Sequence, residues 1–225
     1  PLKLEPGVEF EWTRPGQPIP RDADVVILFG TKSTLGDLAF MRAQGWDHDI
    51  LAHARAGGRV LGICGGYQML GQSITDPHGV DGEPGEALGL GLLDVETTMT
   101  RHKDVRPVSN AQTFIGSTTS GYVIHVGRTN GPDTDRPFAT LEGERDGARN
   151  GNGRVMGTYF HGAFANNEFR RDWLEHVGHS GRSTLDYDAA VDGALDDLAD
   201  GVEASVDVEA LLNLAEPVGW RRDKT

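Results

Sequence analysis

The segment Val60-Leu61-Gly62-Ile63-Cys64-Gly65-Gly66-Tyr67-Gln68-Met69-Leu70-Gly71 constrains this chain more than any other. Residues 60–63 have the apolar, β-branched character of a buried strand and residues 67–70 open a helix, so Cys64 falls on the sharp turn between them. Gly62 stands two residues before it and Gly66 two after, where side chains would collide. The turn directs the N–H groups of Gly65 and Gly66 toward the sulfur, and the helix N-terminus favours thiolate over thiol, so a reactive cysteine is expected. A lone cysteine is more often a small buried hydrophobe. A structural cysteine does not need glycines on both sides, however, and small residues at an elbow permit the strained backbone that exposes a nucleophile.

Upstream, residues 23–29 form a short β-branched run that ends at Gly30-Thr31-Lys32-Ser33-Thr34, which reads as a buried strand followed by a functional loop. Leu35, Leu38 and Met41 share one helical face, and Ile50, Leu51 and Ala54 begin a second helical stretch that stops at Gly57-Gly58. Strand, helix and strand in that order imply a right-handed parallel crossover, hence an α/β fold whose reactive loops gather at the carboxyl ends of the strands. Residues 75–91 are rich in Gly, Pro and acids and read as an ordered surface loop or lid, while 145–153 read as a hydrophilic turn. Residues 122–126, 138–141 and 154–160 read as strands, the last with His161-Gly162 at its carboxyl end. Val191, Leu195, Leu198 and Val202 place an amphipathic helix within 184–214, broken before a second turn at 208–212, and residues 220–225 read as a loose end.

With 225 residues the chain is long enough to bury a sizeable core without metal or disulfide support. One cysteine cannot form an internal disulfide, no apolar run approaches a membrane span, and no signal segment opens the chain, so the cytoplasm is the expected compartment. The first residues, Pro1-Leu2-Lys3-Leu4, look like the interior of a longer polypeptide. A net charge of −13 argues against nucleic acid or an anionic membrane as partner. Ten acidic residues lie between Ser183 and Trp220, so much of that charge belongs to one solvated helical segment rather than to a site.

A cysteine nucleophile needs a base, and the chain has eight histidines. His161 follows a strand directly and is flanked by Gly162, so its ring emerges on the same edge of the sheet as the elbow. His125 lies within an apolar strand and comes second, as a core histidine is the usual explanation there. The remaining histidines fall in helical or loop segments. Neither a His-x-x-x-His pair on one helix nor a cysteine cluster appears, so no metal is expected.

Four ordered motifs, the cysteine elbow, the 30–34 loop, Gly89-Leu90-Gly91-Leu92-Leu93-Asp94-Val95-Glu96-Thr97 and Gly157-Thr158-Tyr159-Phe160-His161-Gly162, resemble the glutamine amidotransferase domain of the cobyric acid synthase family over residues 1–214. The resemblance implies a class I glutamine amidotransferase-like, flavodoxin-like sheet with largely parallel central strands and helices on both faces. It also implies a catalytic core over about 20–180. Cys64 would attack the glutamine side-chain carbonyl to form a thioester, and His161 would pass the proton to departing ammonia and then activate water. Backbone N–H groups at Gly30, Thr31 and Gly65 would stabilise the oxyanion. Gln68 and Tyr67 are candidates to seat glutamine, with helix packing as the alternative, and Arg101 is a candidate clamp for its α-carboxylate.

In that family the ammonia amidates corrin-ring carboxylates in an ATP-dependent synthetase domain, which this chain lacks. No cofactor is therefore expected here, with ATP and Mg confined to that domain, and the implied partners are L-glutamine, the synthetase domain and a corrinoid acceptor. Phe29 stands where proline is usual and Val123 where glutamate is usual, and His161-Gly162-Ala163 lacks the carboxylate that follows the histidine in many class I enzymes. A Cys–His dyad is the reading that remains. The corresponding part of cobyrinic acid a,c-diamide synthase, a cell-wall precursor amidating enzyme, or a catalytically silent binding domain are the alternatives.

Overall fold

The computed structural model describes residues 1–181 and 183–215. They divide into two compact units, Pro1–Thr184 and Leu185–Thr225, and the expected loose end at 220–225 lies outside the described residues.

The first unit carries the parallel crossover expected from sequence. β1 (Val25–Leu28) and β2 (Arg59–Ile63) pair in parallel, joined through α1 (Thr34–Ala43) and α2 (Trp46–Arg55). Leu38 and Met41 are buried on α1 and Ile50 on α2, as their spacing dictates. Gly45, at φ 76°, makes the left-handed step that separates the two helices. From β2 the chain turns at Cys64 into α3 (Gly65–Leu70), every residue of which is buried.

Five further strands follow: β3 (Ser73–Asp76), β4 (Gly85–Leu88), β5 (Glu96–Thr113), β6 (Thr118–Asn130) and β7 (Ala139–Leu141). After them come β8 (Glu144–Asp146), β9 (Ala148–Arg149), β10 (Val155–Thr158) and β11 (Phe160–His161). β10 pairs with β2 in parallel, giving a four-stranded sheet of order β1-β2-β10-β9 in which only β9 runs antiparallel. These are the largely parallel central strands of the α/β class. The other seven strands form a second sheet, ordered β11-β6-β5-β3-β4 with β7 and β8 beside β5, which is antiparallel except where β3 meets β5. It is built on the 18-residue β5, whose exposed middle lacks the strict apolar alternation that marks a half-buried strand.

Residues 75–91 are not loop throughout. Ser73 pairs with Leu88 and Asp76 with Gly85, so the segment is a β-hairpin whose connection alone, 77–84, is irregular. The buried Asp76 carboxylate organises that connection, accepting from the N–H groups of His78, Val80 and Asp81 at 3.3, 3.0 and 2.9 Å. The 145–153 turn likewise contains the end of β8 and all of β9. Both were masked by glycine, proline and charge at strands of two to four residues.

In the second unit, α5 (Tyr187–Ser205) is capped by the Asp186 carboxylate and α6 (Val208–Leu214) by Asp207, with the break at Val206. Val191, Leu195, Leu198 and Val202 form the expected stripe on α5, and none is buried. Among the described residues no helix is long and apolar enough to cross a membrane.

Candidate active site

Cys64 adopts φ 55° and ψ −115°, one of two non-glycine residues at positive φ among those described. Such a backbone persists only where its surroundings over-determine it, and here they do. A Cβ on Gly62 would sit 2.6 Å from both Gly66 O and Tyr67 N, and one on Gly66 would enter the Leu28 carbonyl. The Cys64 N–H donates to Thr158 O at 2.8 Å, which ties the elbow to β10.

His161 arrives from the other sheet. It pairs with Tyr122 of β6 and stacks on that ring, centroids 5.1 Å apart and planes within 4°. Gly162, at φ 88°, then turns the chain away. The two functional side chains meet over Gly30 at the end of β1. A Cβ placed on Gly30 would lie 3.8 Å from Cys64 Sγ and 3.8 Å from His161 Cε1. Three chain segments 34 or more residues apart in sequence thus share one small space, left open because residue 30 has no side chain.

Burial pushes the Cys64 thiol above its ordinary pKa, an effect that the Gly65 N–H and the Lys103 charge oppose and Asp81 reinforces. Burial holds His161 below its ordinary range, with the Ile124 carbonyl opposing. The resting pair is therefore a neutral thiol and a neutral imidazole. Stabilisation of the thiolate by the helix N-terminus, expected from the elbow, is outweighed by desolvation. The thiol donates to the Ile124 carbonyl, with Sγ 3.4 Å from that oxygen, and the His161 Nε2 is buried without a partner among the described residues.

The other expected residues divide. Gly65 and Thr31 come together: a Cβ on Gly65 would meet the Thr31 side chain and lie 3.2 Å from Thr31 N, so the loop after β1 packs directly against the first residue of α3. The Thr31 hydroxyl bonds the Asp37 carboxylate and accepts from Ser33 N at 3.1 Å, which shapes the loop. Gln68 and Tyr67 face the interior instead, at 2% and 1% exposure. Gln68 Nε2 donates to Val126 O at 2.9 Å and to the Tyr159 hydroxyl at 3.0 Å, and its Oε1 accepts from the Thr34 hydroxyl at 3.1 Å, so its polar groups are already satisfied. Their place on an all-buried helix is the packing alternative. Arg101 is exposed on β5, whereas the cation whose field reaches Cys64 is Lys103.

His125 lies on the opposite face of β6 from Ile124. Its ring stacks on Tyr159 at 3.8 Å and its Nε2 is 3.9 Å from Asp104 Oδ2, within the lining of a separate cavity of about 360 Å³. Val123 is buried in the core at 2% exposure, opposite Phe160, so no carboxylate occupies that position. Ile124, Lys103 and Asp81 were missed by sequence reasoning. Ile124 acts through its backbone, which carries no sequence signal, and the other two reach the site by strand register and loop closure.

A cysteine at a strand-to-helix elbow and a histidine from the neighbouring sheet give the α/β fold a candidate site for thiol-dependent acyl transfer. Residues 1–169 match the CobB/CobQ-like glutamine amidotransferase domain, and the chain belongs to that family of glutamine-hydrolysing enzymes. It is 59% identical over 221 residues to a cobyric acid synthase of Hyphomonas neptunium, covering 98% of this chain and 45% of that protein. It is 57% identical over 215 residues to one of Cereibacter sphaeroides, covering 96% and 44%. The chain thus spans less than half the length of these relatives. A solved glutamine amidotransferase is similar over 69% of this chain and 79% of its own, at 18% identity and TM-score 0.49.

Proposed function

We propose that this chain is the ammonia-generating part of a cobyric acid synthase and that Cys64 and His161 are its reacting pair. The single observation carrying the site assignment is the space over Gly30, within 3.8 Å of both Cys64 Sγ and His161 Cε1. A glutamine carboxamide packed against the bare backbone of Gly30 would present its carbonyl carbon to the sulfur. His161, neutral at rest, takes the thiol proton as the Sγ–C bond forms, and the carbonyl oxygen acquires negative charge. The backbone N–H groups of Thr31 and Gly65 are the donors we assign to that oxygen. Collapse breaks the C–N bond, His161 returns the proton to nitrogen, and ammonia leaves. Water then attacks the thioester with His161 as base, releasing glutamate and the thiol.

Lys103 and Asp81, whose charges both act on Cys64, are the positive and negative groups we assign to substrate recognition. They match the α-carboxylate and α-ammonium of an amino acid substrate, and Lys103 replaces Arg101 in that role. The proposed ammonia acceptor is a corrinoid carboxylate activated with ATP and Mg in a synthetase part outside this chain, and the proposed compartment is the cytoplasm; the name of the relatives, of whose length the chain spans less than half, supports this reading.

The test is labelling by a glutamine-analogue electrophile followed by peptide mass spectrometry, alongside glutaminase assays of Cys64→Ala. Modification confined to Cys64 and loss of hydrolysis are expected. A labelled residue elsewhere, or hydrolysis persisting in Cys64→Ala, overturns the assignment.

A further inference from the structure

The polypeptide changes sheets at one place beside the dyad. β10 ends at Thr158 in the parallel sheet and β11 begins at Phe160 in the antiparallel one, leaving Tyr159 alone between them. A buried chain stepping between sheets has amide groups that regular ladder pairing does not serve, and a buried unpaired N–H is as costly as a lost hydrogen bond. A carboxylate takes over that task here. Asp146, the last residue of β8, accepts from Tyr159 N at 3.3 Å through Oδ1 and from the Thr158 hydroxyl through Oδ2. The Thr158 hydroxyl oxygen in turn accepts from Phe160 N at 3.0 Å.

Asp146 is itself held rigidly. Its carbonyl accepts from Phe138 N at 2.9 Å, and Gly147 follows at φ 74°, packed so that a Cβ would enter the Gly157 carbonyl. Both members of the dyad hang from the crossing that Asp146 pins. The Thr158 carbonyl receives the Cys64 N–H at 2.8 Å. On the other side, Phe160, whose N–H is fixed by the Thr158 hydroxyl, is the residue immediately before His161.

Stability alone does not explain a carboxylate here. Asp146 is buried with no cation hydrogen-bonded to it among the described residues, an arrangement that disfavours the ionised form and raises its pKa to about 6. What the carboxylate offers is two acceptor oxygens at a fixed separation, engaging a hydroxyl and an amide of adjacent residues at once. We propose that Asp146 is a positioning residue for glutamine hydrolysis, acting through the Thr158 hydroxyl to set the placement of His161 against Cys64. The proposal rests on the reading of Cys64 and His161 as the reacting pair. It gives His161 an indirect carboxylate anchor, through the backbone, in a motif that supplies none to its ring.

The experiment compares Asp146→Asn, Thr158→Val and Thr158→Ser in the full-length protein, with kcat expressed per Cys64 thiol titrated to completion by a glutamine-analogue electrophile, whose recognition requires the folded site, so that unfolded molecules do not count. Thr158→Val keeps the volume and removes the hydroxyl, and Thr158→Ser restores it. A displacement of about one ångström costs roughly a hundredfold in rate, so Asp146→Asn and Thr158→Val are expected to lose about ten- to hundredfold in kcat. KM should stay within about twofold and Thr158→Ser should recover most of the rate. A purely structural role lowers the melting temperature and leaves kcat per titrated thiol unchanged, and that result overturns the proposal.

Hydrogen exchange on the unsubstituted protein provides a second readout should Asp146→Asn fail to fold. The Tyr159 and Phe160 amides are expected to exchange as slowly as that of Leu61 in the core of β2, and rapid exchange at both overturns the clamp. If Cys64→Ala abolishes hydrolysis while Thr158→Val is normal, only this inference fails. If Cys64→Ala remains active, the dyad reading itself fails.

Discussion

The Cys64 thiol is hydrogen-bonded to the backbone carbonyl of Ile124, with Sγ 3.4 Å from that oxygen, joining the elbow of one sheet to the central ribbon of the other. The same carbonyl favours a proton on His161. One backbone oxygen therefore serves both side chains, accepting from the Cys64 thiol and offering the imidazole an acceptor where the motif has no carboxylate. On the proposed mechanism, the thiol proton passes from this oxygen to His161 as the sulfur attacks.

The pH dependence of hydrolysis follows from His161. A histidine whose folded pKa is depressed stays neutral, and so able to accept a proton, to below its ordinary value of 6.5. The acid limb of kcat/KM is expected to fall with a midpoint below pH 6.5, and a limb centred above 7 would contradict the burial argument. The sign for stability is the same. Because unfolding raises the proton affinity of His161, its contribution to stability is complete at neutral pH and declines as pH falls through 6.5 toward the folded value.

Gly30→Ala tests the shared space directly. The new methyl would lie 3.3 Å from Cys64 Cβ and 3.8 Å from both Sγ and His161 Cε1, crowding both side chains and the approach to the sulfur. Gly30 has no positive φ, so alanine fits the backbone and the melting temperature should move little. Glutamine turnover is expected to drop about a hundredfold by steady-state assay, through misplacement at the reacting centre.

Lys103→Met should separate amino acid recognition from thiol reactivity. Loss of a charge-assisted bond to the α-carboxylate is worth about 1.5–3 kcal/mol, so KM for glutamine should rise roughly tenfold to a hundredfold. Lys103→Arg should restore much of it. Alkylation of Cys64 by neutral iodoacetamide should change far less than labelling by a glutamine analogue, and parallel loss of both would point to a disturbed site instead.

A stability prediction concerns the amino-terminal segment. Glu5 and Arg170 form a fully buried ion pair, with Ser183 Oγ donating to Glu5 Oε1 at 2.9 Å and Arg170 Nη1 donating to Phe164 O at 2.9 Å. Removing one partner leaves an uncompensated buried charge. Glu5→Ala is expected to destabilise the fold by about 3–5 kcal/mol, read from denaturant unfolding.

The elbow and the histidine of the candidate site are marked in the chain because their signals are local. The elbow needs a strand, a cysteine and close-packed glycines within ten consecutive residues, and His161 is marked by the strand before it and the glycine after it. The helices between β1 and β2, and α5 with its break, follow from apolar spacing alone. What depends on distant pairing was not legible. β5 and β6 join residues as far apart as Glu96 and Asn130, and the hairpin at 73–88 hides beneath proline and glycine. Gln68 shows the same limit: its position one turn beyond the nucleophile suggested substrate, yet burial directs its amide to Val126 and Tyr159. Local sequence specifies which groups exist and how the nearest backbone bends. Only the packing of two sheets decides which carbonyl meets the sulfur, which lysine reaches the mouth and which carboxylate pins the crossing, because hydrogen bonds and desolvation depend on distances in space between residues far apart along the chain.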